Sequence, residues 1–297
     1  MKAKPKYIKS AADLITSHTA THKGFLLQAI QKIEKSEPYI KRAIQFRNEL
    51  TKCKGIDDLL KLAFFKEEML TSVGFSTKAM QHVESQEITD LLKKTLEIIL
   101  KKHEKDFREE ILFRYLLIKG DALGGEMRNL TGSIGQKILV RTILEALKDK
   151  HISPVTTTSK NGKIQSLSWG KRYIVFDRSP KCVGKNIDVI MLDRTLSKFE
   201  VELIENKKAY LACGELKGGI DPAGADEHWK TARSSLERIK ECFDETNCPA
   251  LFFVAAAIEK AMANEIFENL DSGYLVFAAN LTVEEQVRDL AGWLVSL

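Results

Sequence analysis

The chain is poor in the features that would assign it to several large classes of protein. It has only five cysteines, at positions 53, 182, 213, 242 and 248; the count is odd and no C-x-x-C pair occurs. That argues against a disulfide framework, and leaves reduced thiols in a cytoplasmic protein as the expectation. Long hydrophobic runs are missing as well. The longest, Ala250–Ile258, falls far short of the roughly 18 apolar residues that suggest a membrane helix. The N-terminal stretch is basic, but Asp13 interrupts its apolar part, so it does not read as a secretory signal. No unit repeats at a fixed period. Neither G-x-x-x-x-G-K-[ST] nor G-x-G-x-x-G occurs, which removes the common phosphate-cradling loops.

What remains is a 297-residue chain, 44% hydrophobic and 29% charged, the balance of a globular protein. Its net charge of +5 is unevenly placed. Residues 1–54 carry twelve Lys and Arg against four acids, and residues 160–187 carry seven against Asp177 alone. Two separated basic regions suit a polyanion held between parts of the protein. Charge alone leaves a solvated Lys-rich surface equally open.

The first hundred-odd residues read as helix. Phe25, Leu26, Ala29, Ile30 and Ile33 share one helical face, Pro38 interrupts the pattern, and Leu91, Leu92, Leu96, Ile99 and Leu100 give a later one. This all-helical region is expected to end between Lys105 and Leu117. Five glycines follow between Gly120 and Gly135, where close helix packing is the better reading than a phosphate loop. After Pro154 the pattern changes to short apolar runs, Tyr173–Phe176, Asn186–Leu192, Ala209–Leu216 and Ala250–Ile258, bounded by Gly, Pro, Asn or charge. Such runs read as strands buried on both faces. Helices are expected between and after them: one from about Asp226 to Phe243, one ending near Gly273, and a last one opened by a Thr282-x-x-Glu285 capping box. The fold class is therefore α/β, with an additional all-helical domain in front of the catalytic half. The expected domains are residues 1–110 and 111–297.

Within the strands, Asp188 stands at the head of one run, and Glu215 and Lys217 stand at the end of the next. Residues two apart on a strand project to the same side, so Glu215 and Lys217 point together and a neighbouring strand can add Asp188. Two carboxylates at one point repel unless a cation lies between them. Mg²⁺ suits that place because it takes hard oxygen ligands and keeps waters for chemistry. Lys217 beside it can orient a water and offset charge on a phosphoryl group. This is the D…E-x-K arrangement of PD-(D/E)XK nucleases, although an exposed strand-end pair would give the same letters. The charges interrupt runs that otherwise read as buried, and buried charge needs a partner or a metal. His228 lies early in the following helix, with the glycine-rich turn Gly218–Gly224 between it and Lys217; a base and a packing histidine are both open readings.

The run Gly214–Ala232, GELKGGIDPAGADEHWKTA, closely resembles the AvaI/BsoBI family of type II restriction endonucleases. So do Leu112–Asn129, the Gln136-Lys137 helix and Lys185–Asp188. Weaker similarity runs through Ser36–Arg42, Gly74–Ala79 and Ala278–Gln286, so the likeness covers nearly the whole chain in collinear order. It implies a mixed-sheet PD-(D/E)XK restriction-endonuclease-like catalytic domain with a helical domain. It implies a prokaryotic, cytoplasmic homodimer that encircles double-stranded DNA, with a cognate DNA methyltransferase as genetic partner. It further implies Mg²⁺-dependent cleavage at a CYCGRG-like palindrome, leaving 5′ overhangs.

At matching positions Asp188 and Glu215 are metal ligands, Asp188, Glu215 and Lys217 are catalytic, and His228 takes the place of the active-site histidine. Asp221 and Lys78 match base-contacting residues. Two departures bear on this: the chain is shorter near Asn161–Tyr173, and Glu126 replaces a neutral residue. A nuclease with another site or a repair role, and a DNA-binding relative without catalysis, are the competing expectations. Retention of the complete Asp188, Glu215, Lys217 set counts against the second.

Overall fold

The computed structural model describes residues 5–75, 79, 82–244 and 247–297. The chain forms two compact units, one of residues 1–26 with 130–297 and one of residues 27–129. A single boundary at 110, expected from the sequence, has no counterpart in this division. The reason is that the first 26 residues pack into the sheet-containing unit: Ile8 and Leu14 are buried in its core.

Helices account for most of the first half: α1 (His18–Leu50), α2 (Ile56–Leu60), α3 (Lys66–Ser72), α4 (Ser85–His103) and α5 (Phe107–Asp149). Pro38 does not end α1, which continues through it for 33 residues. A proline inside a helix removes one i→i−4 hydrogen bond, and a helix this long keeps the rest of its ladder. Nor does helix stop by Leu117, because α5 is a single 43-residue element that includes the whole glycine-rich segment.

Residues 27–129 pack around Phe46, Leu50, Met69, Leu96, Ile111 and Tyr115. The rings of Phe46 and Phe65 stack at 5.6 Å. Glu68, nearly inaccessible, is neutralised by Arg42, whose Nε donates to Oε1 at 2.6 Å. Pairing of this kind is what makes a buried carboxylate tolerable. The face of α1 that looked core-like in sequence behaves otherwise: Ile30, Ile33, Ile40 and Ile44 are all exposed.

The other unit is a mixed α/β structure built on a seven-stranded sheet: β1 (Val155–Thr158), β2 (Ile164–Trp169), β3 (Arg172–Arg178), β4 (Ile187–Asp193), β5 (Tyr210–Lys217), β6 (Ala250–Ala255) and β7 (Phe277–Asn280). The strands lie side by side in chain order. β1 to β5 are antiparallel neighbours, and β5, β6 and β7 run parallel. Four of the strands were legible as apolar runs; β1, β2 and β7 were not. Between β4 and β5 lies α6 (Glu200–Glu205). The parallel crossovers need helices, and they are α7 (Ala225–Glu241) and α8 (Lys260–Asp271). Ser272 caps α8, and Gly273 follows at φ 75° in the left-handed region that ends many helices.

Alternate residues of the strands feed two cores. On one face Ile190, Cys213 and Phe253 meet Trp229, Leu236 and Ile239 of α7, with Ile266 of α8. On the other, Met191, Ala212 and Phe252 meet Leu139 and Ile143 of α5, together with Leu290 and Leu294 of α9 (Glu284–Ser296).

A buried polar knot joins the ends of β6 and β7 to the segment before α1. Asn280, with no exposed surface, donates through Nδ2 to the Leu14 carbonyl at 2.8 Å and to Thr16 Oγ1 at 2.9 Å. Thr16 Oγ1 in turn donates to the Ala256 carbonyl and accepts from the Ile258 N–H. Gln286 accepts from the Asn280 N–H and donates to the Asp13 carbonyl. This knot displaces the expected capping box. The Thr282 hydroxyl donates to Asn280 Oδ1 at 2.7 Å, and α9 begins two residues later, with Val283 as its uncapped N-cap.

Candidate active site

β4 and β5 are antiparallel, with Val189 opposite Gly214. One residue further out along the ladder the head of β4 meets the end of β5, and Asp188 comes to lie beside Glu215. Geometry thus brings together the three residues singled out in the sequence. Lys217 Nζ lies 3.0 Å from Glu215 Oε2 and 3.4 Å from Asp188 Oδ2. Asp188 Oδ2 also accepts the Leu216 backbone N–H at 2.8 Å, which ties it directly to β5. Asn186 Nδ2 approaches Asp188 Oδ1 at 3.5 Å.

Glu215 is the most deeply placed of the three, 3% exposed, while Asp188 and Lys217 are half-buried. Its side chain projects to the α7 face of the sheet, where Ser235 donates to Oε1 at 2.8 Å. Ser235 carried no motif in the sequence. Its one signal was a polar residue on the apolar face of α7, beside Ala232 and Leu236 and itself buried.

Burial, and then the neighbouring Asp188 carboxylate, push the Glu215 pKa from an ordinary 4.5 up to about 7, against the lowering pull of Lys217 and Ser235. Burial pulls Lys217 downward, but Asp188 and Glu215 outweigh it and raise its pKa above the usual lysine value. The cluster is therefore short of positive charge, with two carboxylates sharing one ammonium.

That imbalance has a measurable consequence for the protein without metal. A carboxyl group whose folded-state pKa is raised is protonated when folded and ionised when unfolded between about pH 4.5 and about 7. The unfolded state then binds fewer protons, so stability falls as pH rises through this window. Glu215→Gln removes the dependence while Asp188 keeps Lys217 paired. The variant is expected to melt several degrees above the parent at pH 8, with the gap closing toward pH 5. A shift of about 2–4 °C for each kcal/mol applies to a unit of this size. Thermal melts at the two pH values decide it; a variant less stable at pH 8 would contradict the raised pKa.

The turn after β5 is held by close packing. A Cβ on Gly218 would come within 2.3 Å of the Thr131 carbonyl oxygen of α5, and one on Gly135 within 2.8 Å of Leu216. Helix and strand end are thus in backbone contact at Gly135, where the expected close packing is found; Gly120 and Gly132 instead face open space, and Gly124 and Gly125 meet only the Arg128 side chain of their own helix. His228, exposed in the first turns of α7, lies back over the turn: a Cβ on Gly219 or Gly224 would be 3.2 or 3.4 Å from its Nε2. Asp221 is exposed and accepts the Ala223 N–H through Oδ1 at 3.0 Å, capping a short 3₁₀ turn, Pro222–Gly224. Lys78 lies outside the described residues.

Two carboxylates of this kind fit the coordination habit of Mg²⁺, which takes one or two protein oxygens and retains several waters. Among the described residues no group of three or more His, Cys, Asp or Glu is arranged to hold a metal. Among them too, no helix is long and apolar enough to cross a membrane.

A mixed sheet with carboxylates and a lysine at one strand end places the chain among metal-site hydrolase candidates, and comparison with known proteins narrows this. The family model described as Restriction endonuclease BsobI matches residues 4–297. The chain is 36% identical over 310 residues to the type II restriction enzyme AvaI of Nostoc sp., covering 98% of each chain. It is 35% identical over 314 residues to the type II restriction enzyme BsoBI of Geobacillus stearothermophilus, covering 98% of this chain and 97% of that one. The chain belongs to the BsobI family of restriction endonucleases.

Proposed function

We propose that this protein is a type II restriction endonuclease with a PD-(D/E)XK catalytic domain that hydrolyses both strands of duplex DNA with Mg²⁺. The observation that carries the reading is the convergence of Asp188, Glu215 and Lys217 at the ends of β4 and β5. Asp188 and Glu215 would hold the ion. When bound it supplies a polarised phosphate oxygen and a water of lowered pKa.

The remaining chemistry belongs to the chain. Lys217, whose ammonium lies between the carboxylates, orients the attacking water and offsets charge gathering on the phosphate. His228, exposed at the glycine turn, would accept a proton from that water. Asp221 keeps its other carboxylate oxygen for a base edge, since Oδ1 alone takes the Ala223 N–H. Lys78 is proposed to read a base from the 27–129 unit.

By family resemblance the target is a CYCGRG-like palindrome cut to leave 5′ overhangs. The active form is a homodimer that encircles the duplex in the prokaryotic cytoplasm, where a methyltransferase protects host sites. The exposed apolar row Ile30, Ile33, Ile40 and Ile44 supports a partner surface on the 27–129 unit, because single chains seldom leave such rows bare. Digestion of plasmid DNA with and without Mg²⁺ tests the proposal. Discrete fragments support it, a smear points to a nuclease of another task, and intact plasmid overturns catalysis.

Binding is expected to weaken steeply with salt. Each neutralised phosphate contributes about −0.9 to the slope of log K against log [salt], so several contacts by the basic regions give a slope of about −4 or steeper. Titrations in Ca²⁺ at several salt concentrations measure it, and a slope near zero would mean that the lysine-rich stretches face solvent.

A further inference from the structure

We infer that Ser235 is a positioning residue for cleavage: its hydroxyl fixes the orientation of Glu215 and pins α7, the helix that carries His228, to β5. The inference rests on the metal-site reading above and adds a residue that lies outside the Asp–Glu–Lys set.

The two oxygens of Glu215 have separate partners. Oε2 faces Lys217 Nζ at 3.0 Å, and Oε1 accepts from Ser235 Oγ at 2.8 Å. The carboxylate is therefore held at both ends, with its plane set before any ion arrives. Both Ser235 and Glu215 are buried, 4% and 3% exposed, so water has little access to replace the bond. A hydrogen bond to a buried charged group is worth more than one at the surface, and its loss leaves that oxygen unsatisfied.

The same bond has a second effect through the helix. Ser235 lies seven residues after His228, close to two full turns of α7, so the two side chains leave nearly the same side of the helix. Apolar packing of Trp229, Ala232, Leu236 and Ile239 holds α7 on the sheet. Packing of that kind tolerates small sliding, whereas a short hydrogen bond to one carboxylate oxygen does not. Ser235 thereby gives α7 a fixed register on β5, and with it a fixed place for the imidazole two turns earlier.

Three measurements on Ser235→Ala, Ser235→Thr and the parent, as full-length protein, test the inference. Direct Mn²⁺ binding by calorimetry or electron paramagnetic resonance requires no turnover. Residues that orient a metal ligand typically cost about 10–100-fold in affinity or activity when removed. Ser235→Ala is expected to bind Mn²⁺ about tenfold or more weakly and to cleave about tenfold or more slowly in single turnover. Its affinity for cognate DNA without metal should stay unchanged. Ser235→Thr keeps the hydroxyl and should recover most of the Mn²⁺ affinity.

Ser235→Ala with parental Mn²⁺ binding and rate overturns the inference. So does a Ser235→Ala protein whose metal-free DNA affinity falls in parallel with its rate, since that marks general loss of structure. A parent that binds no Mn²⁺ and cuts no DNA is a different failure, that of the metal-site reading itself.

Discussion

Glu215→Gln and Lys217→Ala should each lower single-turnover cleavage by at least about a hundred- to a thousandfold, the scale seen when one preorganised charge is removed from a reacting phosphate or carbonyl. Specific binding should stay close to parental. The separation follows from position. Glu215 is buried between sheet and α7, with no surface to offer a base, and Lys217 is committed to the two carboxylates at 3.0 and 3.4 Å. Both are turned into this cluster rather than toward base edges in the grooves of DNA. Asp188→Asn should behave alike, with an added structural cost because Asp188 accepts the Leu216 N–H. Gel shifts in Ca²⁺ set beside cleavage in Mg²⁺ make the comparison. A variant that cuts at near-parental rate removes that residue from the site, and one that loses binding and cleavage together shows damage to the fold.

The second large effect is expected at Asp221. An ionised aspartate only accepts hydrogen bonds, so its partner in the major groove is the N4 amino group of cytosine. Asp221→Ala should cost about 1–3 kcal/mol of discrimination at one C·G pair, roughly five- to 150-fold. Cleavage should fall further than binding. The reason is its nearness to Lys217: only three residues separate the two, and the intervening Gly218 abuts the Thr131 carbonyl too closely to accept a side chain. A strained contact at Asp221 is therefore passed along a segment with little slack. Asp221 also caps the Ala223 N–H, so a purely structural role makes a different forecast, equal weakening on every duplex. A panel of singly substituted duplexes separates the two outcomes.

The convergence of Asp188, Glu215 and Lys217 was legible because strand geometry is simple. A two-residue spacing fixes a shared side, and the interruption of the AYLACGEL run by charge marked the end where the three side chains meet. Ser235 was hidden because its partner is twenty positions away across a crossover that only the folded sheet specifies. The edge strands were hidden for another reason: β1 reads VTTT and is exposed along its whole length, so it carries no apolar signal. β7 has only four residues, too few to show a period.

Local rules also misled where tertiary partners prevailed. Thr282 and Glu285 have the letters of a helix cap, yet the Thr282 hydroxyl is taken by Asn280. The isoleucines of α1 have core periodicity yet lie exposed, because periodicity reports an apolar face without saying what covers it.

The knot around Asn280 sets an order of events during synthesis. Its bonds join residues 240 to 273 positions apart: Thr16 to Ala256, Asn280 to Leu14, Gln286 to Asp13. At about 5–20 residues per second, the ribosome needs tens of seconds to travel between the two sides of any one of them. Until that interval ends, Ile8 and Leu14 lack the last-made part of their core, Ile258, Met262, Ile266 and Ala278. β5 waits the few seconds before its parallel neighbour β6 is made, and until then the strand end that carries Glu215 and Lys217 is supported on one side only. A nascent chain is thus a poor nuclease until its last strands emerge.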